Sequence, residues 1–340
     1  MKIDLYLPDD HLTEVPRQAA RAVDIGYDGI FTPDTSHDPF LRIAVAAPVA
    51  QDLDLGTAVT VAFARSPMTV AQTAWDLAEL TAGRFLLGLG TQIKAHIERR
   101  FSMPWGAPAR RMSEYITALR AIWNSWQSGE PLRFRGEFYS LTLMTPFFDP
   151  GPIDHPSIPV YVAGVGPRMS HLAGEMCDGY HVHPFHTVRY LQEVTLPAMR
   201  EGARQGGRTL DQIEMASSVF VVTGRDRREM ETMRRQVSQQ IAFYASTPAY
   251  RPVLDSHGWN FGPRLTALSK RGQWDRMADV ITDDVVSEVA VEAPIDELGD
   301  AIRDRYEGIL DRVGLYAVGR GTTPITDSQM SSIVSAIRGG

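Results

Sequence analysis

The sequence has little cysteine and no long hydrophobic run. Cys177 is the single cysteine among 340 residues, which excludes an internal disulfide and a cysteine cluster for metal. Because disulfides are also rare in reducing compartments, we expect a cytoplasmic location. The start MKIDLYLPDD does not have the pattern of a secretory signal, and no apolar run reaches the length of a membrane span.

An excess of positive charge is also missing. The chain has 34 Lys and Arg against 41 Asp and Glu, a formal net charge of -7 at pH 7. Proteins that bind nucleic acid usually have the opposite balance, so we expect neither nucleic acid nor a membrane as a partner. Hydrophobic residues make up 44% and charged residues 22%, values that are ordinary for a globular protein.

Short apolar segments alternate with helical segments along the chain. The predicted strands are KIDLYL, YDGIFTPD, LDLGTAVTVAF, RFLLGLGTQ, IPVYVAGVG, GYHVHPF, EMASSVFVVTG and RVGLYAVG. Several are nearly continuous apolar runs, as expected for a parallel sheet covered on both faces. Eight strands alternating with helices predict an α/β fold, a (β/α)8 TIM barrel, as one domain over residues 1–340.

Two segments exceed the connections of a minimal barrel. Residues 127–157 are rich in turn residues and aromatics, and residues 226–298 are too long for one crossover and are predicted to be mostly helical. Long insertions in barrels often form lids or subunit contacts. We therefore expect these two insertions to lie outside the repeating barrel.

The turn GVGPRM, Gly164 to Met169, follows the fifth predicted strand and has the features of an anion site. Glycines let backbone N–H groups approach an anion closely. Pro167 suits the first turn of a helix, whose N-terminus favours negative charge. Arg168 adds a cation that can pair with phosphate. The turn is thus a candidate phosphate site, with a tight connecting turn and a surface arginine as the alternative.

Two other patterns indicate weaker sites. Gly88-Leu89-Gly90 has Ile93 where a dinucleotide fingerprint needs its third glycine, so a close-approach turn is the better interpretation. His181 and His183 are two residues apart on a strand and share a face. They could be paired metal ligands of a barrel hydrolase, but no carboxylate cluster nearby completes a metal site. Hydrogen-bonded pocket histidines are the other interpretation.

Several segments together resemble a known family. These segments are FTPDTSHDPF (31–40), the block from LGTAVTVAF to FSMPW (55–105), RMSEYITALRAIW (111–123) and VYVAGVGPRMSHLAGEMCDGYHVHPF (160–185). With them the chain resembles the luciferase-like monooxygenase superfamily, and within it the actinobacterial branch that uses the deazaflavin coenzyme F420. The resemblance covers nearly the whole chain and is weakest over residues 226–298.

The resemblance implies a bacterial luciferase-like barrel with the cofactor at the C-terminal ends of the strands. The Gly164–Met169 turn would receive the phosphate. Family members have a non-proline cis peptide in the third strand against the ring system, which here falls at Ala58-Val59. An acidic residue after the second strand approaches the cofactor, which here is Asp34. Some deazaflavin enzymes place a histidine directly after that acid, where this sequence has Thr35.

The activity implied is hydride transfer between F420 and a small organic substrate. The alternative within the family is a monooxygenase that uses FMN and needs a flavin reductase as partner. Outside the family, the alternatives are the metal-dependent hydrolase and a barrel that only binds cofactor. A homo-oligomer, most simply a dimer, is expected.

The proton that accompanies a hydride needs a donor. Histidine is half-protonated near neutral pH, which makes His183 and His37 the candidate catalytic residues. We favour His183, because its strand ends beside the glycine turn. The predicted cofactor-binding residues are Asp34, Ala58, Val59, Gly90, Thr91, Gly164, Val165, Gly166, Arg168 and Met169.

Overall fold

A computed structural model describes residues 1–316 and 325–339 of the chain. The strands are β1 (Lys2–Tyr6), β2 (Gly29–Thr32), β3 (Asp54–Thr57), β4 (Thr60–Val61), β5 (Phe85–Gly90), β6 (Phe134–Arg135), β7 (Ser140–Leu141), β8 (Val160–Gly164), β9 (Gly179–Val182), β10 (Glu214–Val222), β11 (Ala290–Glu292) and β12 (Arg312–Tyr316). The last three residues of the predicted strand RVGLYAVG lie outside the described residues.

Helices separate most of these strands. They are α1 (Val15–Ile25), α2 (Pro39–Ala46), α3 (Pro67–Leu80), α4 (Lys94–Arg99), α5 (Pro108–Ser128), α6 (Pro167–Met176), α7 (Val188–Tyr190), α8 (Leu196–Gln205), α9 (Arg227–Ala245), α10 (Arg251–Ser256), α11 (Gly262–Lys270), α12 (Asp283–Val289), α13 (Leu298–Tyr306) and α14 (Asp327–Arg338). A π-helical segment, Leu191–Thr195, joins α7 to α8.

Eight parallel strands form a closed ring in the order β1, β2, β3, β5, β8, β9, β10, β12 and back to β1. Each of the eight predicted strands supplies one of them. The predicted (β/α)8 barrel is therefore confirmed. Every residue of β2, β5 and β9 is buried, because the helices cover the outside of the ring and side chains fill its interior.

Charged residues close the N-terminal end of the barrel. Arg312 donates two hydrogen bonds, of 2.6 and 2.8 Å, to the carboxylate of Asp4 and another of 2.6 Å to Asp54. The side chains of Arg312 and Asp4 are each only 1% exposed. Above them the aromatic rings of Phe31 and Tyr161 fill the interior. Packed side chains thus close the N-terminal end of the barrel, and we expect the reaction site at the C-terminal ends of the strands.

The first insertion forms a small hairpin, and the second forms helices. Strands β6 and β7 pair antiparallel, and the carboxylate of Glu114 on α5 accepts the backbone N–H groups of residues 137–139. Helices α9 to α12 share an apolar cluster with residues of β10, and β11 pairs with β10 beyond the barrel ring. Among the described residues, no helix is both long and apolar enough to cross a membrane.

Candidate functional site

The segment Ala58–Val61, here called the bulge, lies between β3 and β5 at the C-terminal end of the barrel. The Ala58-Val59 peptide bond is cis, as the family resemblance predicts. The N–H of Ala58 donates to the carbonyl of Thr32 at 3.0 Å. A Cβ at Gly90 would lie 2.4 Å from Val59 Cγ2, so only glycine permits this approach. The bulge is held against β2 and β5 while Ala58 and Val59 stay half-buried.

Asp34 follows β2 and supports the bulge through both its backbone and its side chain. Its N–H donates to the carbonyl of Val59 at 3.1 Å, and its carboxylate accepts the N–H of Val61 at 3.0 Å. The same carboxylate forms an ion pair with Arg65. Asp34 therefore lies directly behind the surface where the cofactor ring is expected, with one carboxylate oxygen already engaged.

His37 lies on the outer rim, where its side chain is 42% exposed. Its Nε2 is 3.9 Å from Oδ1 of Asp9, and the neighbouring Ser36 hydroxyl donates to the same carboxylate. Arg100, directly after α4, donates to the carbonyl of Thr35. The loop after β2 is thus tied to its surroundings, and the His37 ring faces solvent.

Gly90 is the last residue of β5, and Thr91 follows it directly. Thr91 is half-buried, and its hydroxyl donates to the carbonyl of Gln92 at 3.0 Å. Gln92 has a left-handed backbone with φ of 57°, which turns the chain sharply toward α4. The structure thus brings Gly90 beside Val59 and places Thr91 at the start of a tight turn.

The glycine turn, Gly164–Met169, joins β8 to α6. A Cβ at Gly164 would lie 2.4 Å from the Cβ of Met169, so this position requires glycine. The Tyr190 hydroxyl donates to the carbonyl of Val165 at 2.8 Å and fixes the turn from the side. Gly166 is the N-cap of α6, with an ordinary extended backbone, and a Cβ there would find open space.

The start of α6 has free capacity for an anion. Pro167 has no N–H, and the N–H groups of Met169 and Ser170 donate to the carbonyl of Gly166 at 3.1 and 3.3 Å, but no side chain among the described residues caps the helix. Arg168 is exposed, and within residues 1–316 and 325–339 no carboxylate forms an ion pair with it. The predicted phosphate residues are therefore together, with their donors unoccupied by other described side chains.

His183 follows β9 and is held in its neutral form. Its Nδ1 accepts the N–H of Phe185 at 3.1 Å, and its Nε2 lies 3.0 Å from the hydroxyl of Tyr250. Burial, with a smaller contribution from His186, lowers the pKa of His183 to about 3. The expectation that this imidazole is half-protonated near neutral pH is therefore wrong.

His181 does not join His183 in a metal site. Its ring lies inside the barrel, 5.5 Å from the ring of Phe31 and 5.2 Å from that of Tyr161. Burial lowers its pKa to about 3. No group of three or more His, Cys, Asp or Glu side chains in the described part of the chain could hold a metal ion.

Four tyrosines and one arginine near the site were missed by sequence reasoning. They are Arg65, Tyr190, Tyr244, Tyr250 and Tyr316. Tyr244 and Tyr250 come from the second insertion, and the hydroxyl of Tyr244 lies 2.5 Å from that of Tyr316 at the end of β12. No local motif marks these residues, because only the folded chain brings the insertion to β9 and β12.

Comparison with known proteins gives a consistent result. The family model described as luciferase-like monooxygenase matches residues 2–312. An uncharacterized protein of Mycobacterium tuberculosis is 48% identical over 307 residues, 88% of this chain and 90% of its own. The phthiodiolone/phenolphthiodiolone dimycocerosates ketoreductase of the same species is 32% identical over 236 residues, 68% of this chain and 60% of its own.

A solved structure extends the likeness to the fold. The coenzyme F420 dependent tetrahydromethanopterin reductase from Methanopyrus kandleri superposes with a TM-score of 0.79. The alignment covers 98% of this chain and 97% of that one at 20% identity. At this identity the comparison shows the shared barrel fold.

Proposed function

Because the chain belongs to the luciferase-like monooxygenase family, we propose that it is an oxidoreductase that transfers a hydride between F420 and a small organic substrate. Two relatives support this choice. One is a ketoreductase, and the neighbour of known structure is a reductase that depends on F420. A reductase needs a cofactor that carries a hydride and does not need to activate oxygen. A deazaflavin has these properties.

The observation that carries the proposal is the uncapped start of α6, with open space in front of Gly166. A Cβ at Gly166 meets no atom within 4 Å, so there is room in front of the uncapped helix. Backbone N–H groups and the positive end of the helix would hold a phosphate there. Arg168, without a carboxylate partner among the described residues, would add charge-assisted hydrogen bonds from the side. These residues fit a cofactor whose side chain carries a phosphate.

The bulge fits the ring of such a cofactor. Ala58 and Val59 offer small apolar side chains that are half-buried, and a flat ring that covers them would remove apolar surface from water. Asp34 and Gly90 hold this surface in place through the contacts described above. When bound, the cofactor supplies the hydride, and the protein provides orientation, a dry surface and a proton donor.

The two predicted catalytic histidines have different parts in the proposal. His183 contributes as a neutral group that forms hydrogen bonds beside the glycine turn. His37 lies on the rim, where its side chain is 42% exposed and could meet a substrate only at the outer edge of the mouth. We also propose that the protein is a homodimer whose subunits contact each other through one of the two insertions.

The second candidate is an FMN-dependent monooxygenase with a partner flavin reductase, favoured by the family's description. Both cofactors carry a phosphate that would bind the same turn, so the test compares them directly. Purified protein is titrated with F420 and with FMN while the cofactor fluorescence is followed. F420 is expected to bind at least tenfold more tightly, and equal or reversed affinities would overturn the choice of F420.

The same titration, repeated with Arg168→Ala, measures the contribution of this side chain to F420 binding. Because Arg168 is exposed, its loss should weaken F420 binding by only a few-fold, corresponding to about 0–1 kcal/mol for an exposed ion pair. A turnover assay with the bound cofactor separates an enzyme from a barrel that only binds it.

A further inference from the structure

The turn Pro248–Tyr250 of the second insertion brings a phenol to the end of β9. The Tyr250 hydroxyl lies 3.0 Å from Nε2 of His183, and the two rings are 4.5 Å apart between centroids. Val182, directly before His183, pairs with Gly164 in the sheet. Tyr250 therefore lies near the glycine turn, although it is far from it in sequence.

The hydrogen bonds around His183 decide where the Tyr250 proton points. The N–H of Phe185 donates to Nδ1 of His183, so Nδ1 carries no proton. In a neutral imidazole the proton is then on Nε2, which donates to the oxygen of Tyr250. The hydroxyl of Tyr250 accepts this bond, and its own proton remains free to be donated.

This free proton has no acceptor in the described part of the chain. Within residues 1–316 and 325–339, His183 is the only hydrogen-bond partner of the Tyr250 hydroxyl. The hydroxyl of Tyr244, its neighbour on α9, is instead paired with that of Tyr316. Tyr250 is half-buried, so part of the residue is accessible at the surface. Burial also raises the pKa of Tyr250 to about 12, which keeps the phenol protonated at neutral pH.

We propose that Tyr250 is the catalytic proton donor to the carbonyl oxygen of a ketone or aldehyde substrate, with His183 as the positioning residue that orients its hydroxyl. This inference rests on the proposed function. When bound, the reduced deazaflavin would supply a hydride to the carbonyl carbon. The π electron pair of the C=O bond would move to oxygen, which would take the proton of Tyr250, so that the ketone or aldehyde would become an alcohol. Solvent would return a proton to the phenolate, which balances the proton that the oxidised cofactor releases.

The hydrogen bond from His183 would stabilise Tyr250 as it loses its proton. A phenol with a pKa near 12 is a weak acid, and its phenolate must be stabilised at the moment of transfer. The Nε2–H of a neutral histidine supplies a hydrogen bond to the developing negative charge, which is stronger than a bond between neutral groups. In the reverse direction, Tyr250 would accept the proton of an alcohol only in its phenolate form, which the same hydrogen bond from His183 would stabilise.

The first test removes the hydroxyl and retains the ring. Tyr250→Phe is compared with Tyr27→Phe, the same change at a buried site at the other end of the barrel. Acetone, cyclohexanone and acetophenone are assayed with reduced F420, and the corresponding alcohols with oxidised F420. Tyr250→Phe should lower turnover at least hundredfold and leave the Kd for F420 within twofold, since a positioned proton donor contributes about 10²–10⁴-fold. Tyr27→Phe should match the parent.

The second test addresses His183 without turnover. In protein labelled with ¹⁵N-histidine, the shifts of His183 should show an unprotonated Nδ1 and a protonated Nε2, and Tyr250→Phe should move the Nε2 signal. His183→Gln places an amide N–H near the position of Nε2, so it should recover at least tenfold in turnover over His183→Ala. Turnover of the parent should be flat from pH 6 to 9, because neither group titrates there.

The outcomes separate the two proposals. If the parent binds no F420, the proposed function fails and this inference falls with it. If F420 binds but no carbonyl or alcohol reacts, the substrate class is wrong, and the proposed function stands for another substrate. If Tyr250→Phe reacts like the parent, or if the rate follows a single ionisation near the ordinary pKa of histidine, Tyr250 is not the donor. A protonated Nδ1 in His183 would overturn its positioning role.

Discussion

Arg65 forms an ion pair with Asp34 at the mouth of the barrel, and its guanidinium also donates a 3.0 Å hydrogen bond to Asp38. Asp38 accepts the N–H groups of Phe40 and Leu41 and so caps α2. One arginine therefore links the bulge, the end of β2 and the start of α2. The side chain of Asp34 is only 6% exposed, which makes its counter-ion important for the fold.

Replacing Arg65 with methionine should destabilise the protein. Arg65→Met leaves the Asp34 carboxylate buried without a counter-ion, which costs about 3 kcal/mol by analogy with other broken buried pairs. Urea unfolding followed by circular dichroism measures the change. The double variant Arg65→Met/Asp34→Asn removes the stranded charge and should recover part of the loss. A single variant as stable as the parent would show that the carboxylate is well solvated.

The glycine turn should respond to side-chain size at position 166. Gly166 has φ of -89°, which any residue adopts, and a Cβ there meets nothing. Gly166→Ala and Gly166→Val should therefore fold normally but place methyl groups where we propose the phosphate binds. We expect F420 binding to weaken progressively, by on the order of tenfold or more for valine, since a charge-assisted hydrogen bond contributes about 1.5–3 kcal/mol.

Gly164 provides the contrast to that series. A Cβ at this position would lie 2.4 Å from the Cβ of Met169, so Gly164→Ala should lower the melting temperature as well as the affinity. Matched thermal melts distinguish the two positions. If Gly166→Val melts like the parent and binds F420 equally well, the phosphate lies elsewhere.

Removal of the Tyr190 hydroxyl should loosen the turn from the side. In Tyr190→Phe the carbonyl of Val165 loses the 2.8 Å hydrogen bond that holds it. A bond of this kind contributes about 1 kcal/mol, so we expect F420 affinity to fall by a few-fold and the fold to be retained. Isothermal titration calorimetry measures the affinity. An unchanged Kd would mean that the turn is rigid without this bond.

Acid should destabilise the protein through its buried histidines. Burial lowers the pKa of His181 to about 3 and that of His186 to about 4. In the unfolded chain both imidazoles have a pKa near 6.5, so between pH 6.5 and about 4 the unfolded state binds more protons. Stability therefore falls as the pH decreases through this range, by roughly 2 kcal/mol per histidine at pH 5.

Urea unfolding at pH 7.5 and pH 5.0 measures this dependence. His186→Gln should reduce the difference between the two pH values by the contribution of one imidazole. His11→Gln, at an exposed position, is the matched control and should retain the full difference. A free energy of unfolding that is equal at both pH values in the parent would contradict the prediction.

Much of the barrel could be predicted from local patterns. Strands such as Phe85–Gly90 are apolar along their whole length because both faces are covered, and that signal is visible without any knowledge of the neighbours. The glycine turn is equally local, since Gly164 and Met169 meet within one connection. The cis peptide at Ala58-Val59 followed from the family resemblance and not from local chemistry.

The (β/α)8 barrel and the Gly164–Met169 turn could be predicted from the amino-acid sequence, because strand periodicity and turn chemistry depend on residues close together in the chain. Only the tertiary structure decided the state of His183, since its pKa depends on burial and its ring is bonded to Tyr250, 67 residues away. It likewise decided that Asp34 is paired with Arg65, 31 residues further on. Such contacts have no periodic signature, because they arise where separate connections of the barrel converge on one mouth.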